Sequence, residues 1–458
     1  MDQALLLSRL QFAWVIALHI LLPAFTVGLA AYIAVLEGLF FFGRRPVFLR
    51  LSRYWLRIFA VSFGMGVVSG IVMPFQFGTN WSRYSEITGG VTGPLMAYEV
   101  LTAFFLEAGF LGILLFGRDK VPPWVHFFAG VMVAGGTLLS TFWILAANSW
   151  MQTPAGYGIV DGRFVPVDWW KAVFTPSFPY RLVHTTMAFF ITTAFAVIGV
   201  AAYHLRHDRY LEESVTMQKM GFGLLAILVP LQVFIGDQHG LNTLEYQPVK
   251  IAAIEANWET QSHMPLLLFA WPDERAERND FEVAIPELGS LILRHHVDGV
   301  VPGLKDWKPG DRPPVAIPFF SFRIMVGIGL AMLAMTLAGL WVWYRGRLST
   351  TRWFQRLCLA AMPLGFIAVI AGWVTTEVGR QPWVVYGLLR TRDAVTPSLR
   401  GGDVTVSILV YIAAYIVIFG SGVYFLARLA RGGFGPAEPD LQPFPTQKRP
   451  ISGATRVT

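Results

Sequence analysis

Five side chains with donor atoms of the kind that hold haem iron stand in otherwise apolar stretches: His19, Glu99, His184, Met325 and Glu377. Ionisable groups are costly in lipid, so each asks for a functional reason. An imidazole paired with a thioether, as His184 with Met325, makes a six-coordinate electron-transfer iron with no open position. A single ligand such as His19, Glu377 or Glu99 leaves the opposite face of a haem free for oxygen. Each residue also has a plainer reading. Methionine packs cores, a lone histidine can be hydrogen-bonded to a neighbour, and end-of-span carboxylates can snorkel or pair with Arg380. His126 is assigned to structure.

Glu107 stands eight residues after Glu99 on one predicted helix. At 100° per residue the two lie about 80° apart, with Glu107 about 12 Å further inward. Two carboxylates stepping through a membrane suit a proton relay. Arg323 and Arg380 sit at predicted span boundaries, where a guanidinium can bind haem propionates bidentately or simply mark the water interface. Asp119 and Asp237 fall at span ends. His295 and His296 lack a second ligand pair at metal-binding spacing.

The elements that must position these groups are membrane helices. The chain has 458 residues, 54% hydrophobic and only 14% charged, with 16 Trp and 36 Phe, which is the balance of a polytopic membrane protein. Apolar runs of roughly 20 residues or more fall at 11–42, 57–78, 94–117, 124–147, 181–203, 219–236, 318–343, 354–376 and 404–427. The loops at 43–57, 118–120, 204–219 and 344–356, and the tail after 427, are the basic ones. They predict an outward N-terminus and a cytoplasmic C-terminus. That topology sets all five ligand-capable residues toward the same outer face, with His19 about 12 Å deep. It also accounts for a formal charge of +7 without nucleic acid.

Four segments are therefore expected: helices 1–6 over 1–236, an outer hydrophilic loop over 237–317, helices 7–9 over 318–431, and a mobile cytoplasmic tail over 432–458. The first run lacks a basic region before it and a clear A-x-A site after it, so it is expected to stay as a span rather than act as a cleavable signal. One cysteine, Cys358, excludes an internal disulfide and a C-x-x-C-H haem attachment.

Seven blocks then carry a family resemblance: SRLQFAWVIALH (8–19), FQFGTNW (75–81), YEVLTAFFLEA (98–108), WILAANSWMQTPAG (143–156), KIAAIEANWET (250–260), SFRIMVG (321–327) and GRQPW (379–383). In this order, nearly end to end, the chain resembles subunit I of the cytochrome bd family of quinol oxidases. Its short outer loop is like that of the branch with the cyanide-insensitive oxidases. The resemblance implies an all-α polytopic fold in a bacterial inner membrane. It also implies His184 and Met325 as ligands of a low-spin haem b, and His19 and Glu377 as ligands of two high-spin haems, one haem b and the other haem d or a further haem b. Glu99 and Trp373 would lie beside that pair, and Arg323 and Arg380 near propionates. Glu107, Ser140 and Asn148 would belong to a cytoplasmic proton path, in which alanine at 108 replaces a serine of some relatives. Lys250 and Glu255 would serve quinol oxidation.

The activity that the resemblance implies is that of a quinol:oxygen oxidoreductase. Such an enzyme oxidises ubiquinol or menaquinol at the outer loop and reduces O2 to water with cytoplasmic protons. Its partner would be a second membrane subunit, oxidase subunit II, with the number of small accessory subunits left open. Two rivals come from other classes: a proton-coupled membrane transporter, and a di-haem anchor that passes electrons to a partner dehydrogenase.

Overall fold

A computed structural model describes residues 3–434. Among these, nine helical stretches are long and apolar enough to cross a membrane, as many as the hydropathy runs predict. The first stretch is two helices, α1 (Gln3–Leu21) and α2 (Pro23–Gly43). Proline has no N–H to continue the ladder. Here Pro23 leaves the His19 carbonyl to the amide of Leu22, at 3.0 Å. His19 thus sits beside a break in mid-span, sixteen residues after Gln3, because the helix begins well before the apolar run does.

Helix α3 (Pro46–Thr79) leads to α4 (Ser82–Tyr98), a π-helical segment at Glu99–Phe104 and α5 (Phe105–Phe116). Glu99 therefore lies near the middle of a continuous helical stretch, not at its opening. The polar residues before 94 are too hydrophilic to read as a span. They are helical because α4 packs on α6 (Pro123–Gln152) and on a small hairpin. That hairpin, β1 (Tyr157–Val160) and β2 (Arg163–Pro166), turns at Asp161 and Gly162, both at positive φ as a tight two-residue turn requires.

After α7 (Trp169–Val173) come α8 (Phe178–Arg206) and α9 (Leu211–Tyr246). Of the nine stretches, α8 is the most enclosed. Small residues let its neighbours approach closely. A Cβ on Gly28 would collide with Thr193 Oγ1, and one on Gly365 would fall 2.6 Å from Thr192 Oγ1. Helix α9 continues ten residues past the expected 236, so Asp237 and His239 lie within it and the outer segment begins near Gln247.

That segment holds α10 (Pro248–Ile254), the hairpin β3 (Leu266–Asp273) with β4 (Arg278–Ile285), and α11 (Leu288–Arg294). Helices α12 (Ala316–Tyr344), α13 (Arg352–Ala361), α14 (Leu364–Val378) and α15 (Gly401–Gly432) complete the bundle. The tail expected from 432 lies, beyond 434, outside the described residues.

Candidate functional site

Helix α6 is the organising element. It packs against α2, α5, the π segment and α8, and its polar or small residues meet a different carboxylate at each level. Ser140 donates to Glu99 at 2.7 Å. One turn below, Gly136 faces Glu107, and a Cβ there would meet Glu107 Cγ at 2.5 Å. Further up, Asn148 Nδ2 and Gln152 Nε2 donate to Glu377 Oε1 at 3.1 and 3.2 Å.

Two expectations change here. Glu99 and Glu107 both face α6 instead of diverging by 80°, because the π segment between them widens a turn and takes up the extra rotation. Such segments are frequent at functional sites. The carboxylates are also stepped, not level: Ser140 and Asn148 are eight residues apart, about 12 Å of helical rise. Ser140 and Asn148 accordingly touch Glu99 and Glu377, and neither is bonded to Glu107.

Around Glu377 the structure gathers cations. Arg380 pairs with Glu377, one turn away. Arg181 donates to Ser149 Oγ at 3.1 Å and to Asn148 Oδ1. Lys250 Nζ donates to Gln152 and Gln247, each at 2.6 Å. Burial, reinforced by the charge of Arg181, pushes the Lys250 ammonium well below the usual lysine range. Arg380 is buried, yet its Nε and Nη1 have no hydrogen-bond partner. Three basic side chains, two of them guanidiniums, thus share one carboxylate, which leaves the cluster in need of anionic charge. The sequence reading missed Arg181. Its signal was an arginine one turn before His184 in an apolar stretch.

His19 Nδ1 lies 2.9 Å from Ser69 Oγ, whose own proton goes to the Gly66 carbonyl. With the hydroxyl proton on that carbonyl, the imidazole donates from Nδ1, and the Nε2 lone pair is available to a metal. Gly70 also adjoins this ring. His184 lies by Gly236 and Gln232 on α9, with the His239 ring 5.6 Å away. Met325 Sδ faces Gly372 on α14, where a Cβ would come within 2.8 Å. Helix α12, which carries Met325, packs on α9 and α14, and both of those pack on α8, which carries His184. Trp373 lies half-buried one turn before Glu377.

In the outer segment Arg323 pairs with Glu255 at 2.8 Å, donates to the Leu267 and Ile254 carbonyls, and stacks 3.7 Å from the Phe319 ring centroid. Glu255, Trp258, Met264, Leu267, Asn279 and Glu282 help line a cavity of about 570 Å³. Lys250 does not line it and points instead into the network at Glu377.

The family model for cytochrome bd terminal oxidase subunit I matches residues 7–434. The chain belongs to that family. Cytochrome bd ubiquinol oxidase subunit 1 of Bacillus subtilis (strain 168) is 34% identical, over 94% of each chain. Cytochrome bd-II ubiquinol oxidase subunit 1 of Escherichia coli (strain K12) is 33% identical, over 93% of this chain and 96% of that one. The bd oxidase structure from Geobacillus thermodenitrificans superposes with a TM-score of 0.86 at 30% identity, covering 94% of this chain and 100% of the other. This bd-type subunit I is thus an oxidoreductase of a respiratory chain and a multi-pass protein of the bacterial inner membrane. Membership selects the terminal oxidase over the transporter and the anchor, and it brings haem as cofactor.

Proposed function

We propose that this subunit oxidises membrane quinol at its outer segment and reduces O2 to water with protons drawn from the opposite, basic-loop side. The observation that carries this reading is the buried cluster of Arg181, Lys250 and Arg380 around the single carboxylate of Glu377. Its excess of positive charge and the two free nitrogens of Arg380 suit the propionates of haem, with Arg323 at the edge of the outer cavity as a further candidate. Haem, when bound, supplies the redox-active iron and the position at which oxygen reacts.

The ligand sets follow from donor chemistry. His184 and Met325 would hold the low-spin haem b, each beside a glycine that leaves room for a flat macrocycle. His19, with Nε2 free, and Glu377 would hold the two high-spin haems, one haem b and the other haem d or b. Glu99 and Trp373 would lie beside them. Glu255, oriented by Arg323 at the cavity wall, would accept a quinol proton, and Lys250 would hold its charge near the same path. Glu107, then Ser140 with Glu99, then Asn148 with Glu377 form successive levels at which α6 can hand protons upward. The basic loops imply an outward N-terminus. Oxidase subunit II would be the partner.

A reduced-minus-oxidised spectrum with carbon monoxide, taken on the purified complex together with haem extraction, tests the reading. It predicts three haems per complex, at least one of them reactive with carbon monoxide. A preparation with no carbon-monoxide-reactive haem overturns it.

A further inference from the structure

Below Glu107, α6 meets a fourth carboxylate, this one buried. Glu37 of α2 and His126 of α6 are both almost fully enclosed, and Nδ1 of the imidazole lies 3.1 Å from Glu37 Oε2. The other ring nitrogen, Nε2, lies 3.0 Å from the Leu114 carbonyl of α5. A carbonyl only accepts, so Nε2 carries a hydrogen. Glu37 Oε1 already accepts from the Ser52 hydroxyl of α3 and from the Arg118 guanidinium. Without another proton, Nδ1 and Oε2 would face each other as two buried lone pairs, an arrangement that burial makes expensive. The contact therefore holds one proton between imidazole and carboxylate.

The charged and titratable groups at this contact are Arg118, Glu37 and His126, with Ser52 and the Leu114 carbonyl as neutral partners. Arg118 is partly exposed and joins the pair to water at the end of the bundle that carries the basic loops. On the inner side, Leu114 lies seven residues after Glu107 on the same helix, so two turns, about 10 Å, separate the two levels. Gly130 on α6 adjoins both Glu37 and Leu114, as Gly136 adjoins Glu107.

We propose that the Glu37–His126 pair is the proton-loading station at the mouth of the path to Glu107. This rests on the oxidase reading above. The step moves one proton and no electrons: it leaves the Nδ1–Oε2 contact toward Glu107 along the α5–α6 seam, and the pair is recharged from bulk water past Arg118.

The test uses the complete haem-loaded oxidase with its partner subunit, comparing wild type with His126→Gln and Glu37→Gln. With haem content and carbon monoxide spectrum unchanged, turnover with excess quinol should fall about tenfold at alkaline pH, where bulk protons are scarce, and recover toward wild type on acidification. A merely structural role would lower haem content or stability and leave the shape of the pH profile alone. An unchanged profile in fully loaded variants overturns the station while leaving the oxidase reading intact. A wild-type complex without oxygen-reducing activity sinks the oxidase reading instead. If His126→Gln fails to assemble, Glu37→Asp carries the test, because it keeps the charge but draws the carboxylate back from Nδ1. A steeper alkaline loss supports the station, and a wild-type profile overturns it.

Discussion

Asn148 donates from Nδ2 to Glu377 Oε1 at 3.1 Å while its Oδ1 accepts from Arg181. One amide thus couples a candidate ligand on α14 to a buried cation on α8. Asn148→Leu keeps the branching at Cγ and the number of side-chain heavy atoms but removes both bonds, leaving Glu377 and the buried Arg181 each short of a hydrogen bond. We expect a stability loss of about 1–3 kcal/mol, read as a lower melting temperature of the complex, together with a fall in the haem signal assigned to Glu377. A variant with wild-type melting and spectrum would show that the link is dispensable.

Ser69 Oγ holds the His19 ring through a 2.9 Å hydrogen bond to Nδ1. In Ser69→Ala that partner is gone and the ring can turn or change tautomer. Outer partners of this kind are worth about 10–100-fold in metal affinity. Carbon monoxide difference spectra of Ser69→Ala should therefore show partial loss of one high-spin haem, with the low-spin signal proposed for His184 and Met325 retained.

Gly136 has no room for a side chain, since a Cβ would meet Glu107 Cγ at 2.5 Å. Gly136→Ala should push Glu107 off the α6 surface at a cost of about 1–3 kcal/mol. Turnover is expected to drop at full haem content, and the solvent deuterium isotope effect should rise as proton delivery becomes limiting. Equal turnover and isotope effect in the two proteins would remove Glu107 from the path.

Burial holds Lys250 well below the usual lysine range, with Arg181 acting in the same direction. Its charged form is therefore lost at a lower pH than an ordinary lysine would show. If that charge serves turnover, activity should decline on the alkaline side below the ordinary lysine value. Lys250→Arg, whose guanidinium stays protonated, should flatten that limb. Persistence of the same decline in Lys250→Arg would assign it to another group.

The fold was largely legible from hydropathy, because crossing a bilayer imposes a length and composition that local sequence must meet. Nine long apolar runs became nine spanning stretches among the described residues. The boundaries that failed, at α1, α3, α4 and α9, lie where polar sequence is helical, and for α4 the cause is packing against α6 and the β1–β2 hairpin. Hydropathy carries no signal for that. Donor residues were legible by type, since an ionisable group in an apolar run stands out. Glu37 and Arg181 met the same criterion, Glu37 near the basic-loop end of the first run and Arg181 at the outer end of the fifth, one turn before His184.

The sequence by itself determined the class of protein, its family through seven ordered motif blocks, and the set of groups able to hold haem. Only the tertiary structure decided who meets whom. Glu99 and Glu107 share a face because a π segment rewinds their helix. Three basic side chains converge on Glu377 from α8, α10 and the turn after α14, and Glu37 meets His126 at 3.1 Å because α2 and α6 pack side by side. These relationships depend on helix rotation and contact between segments far apart in the chain, and no local pattern of residues encodes that.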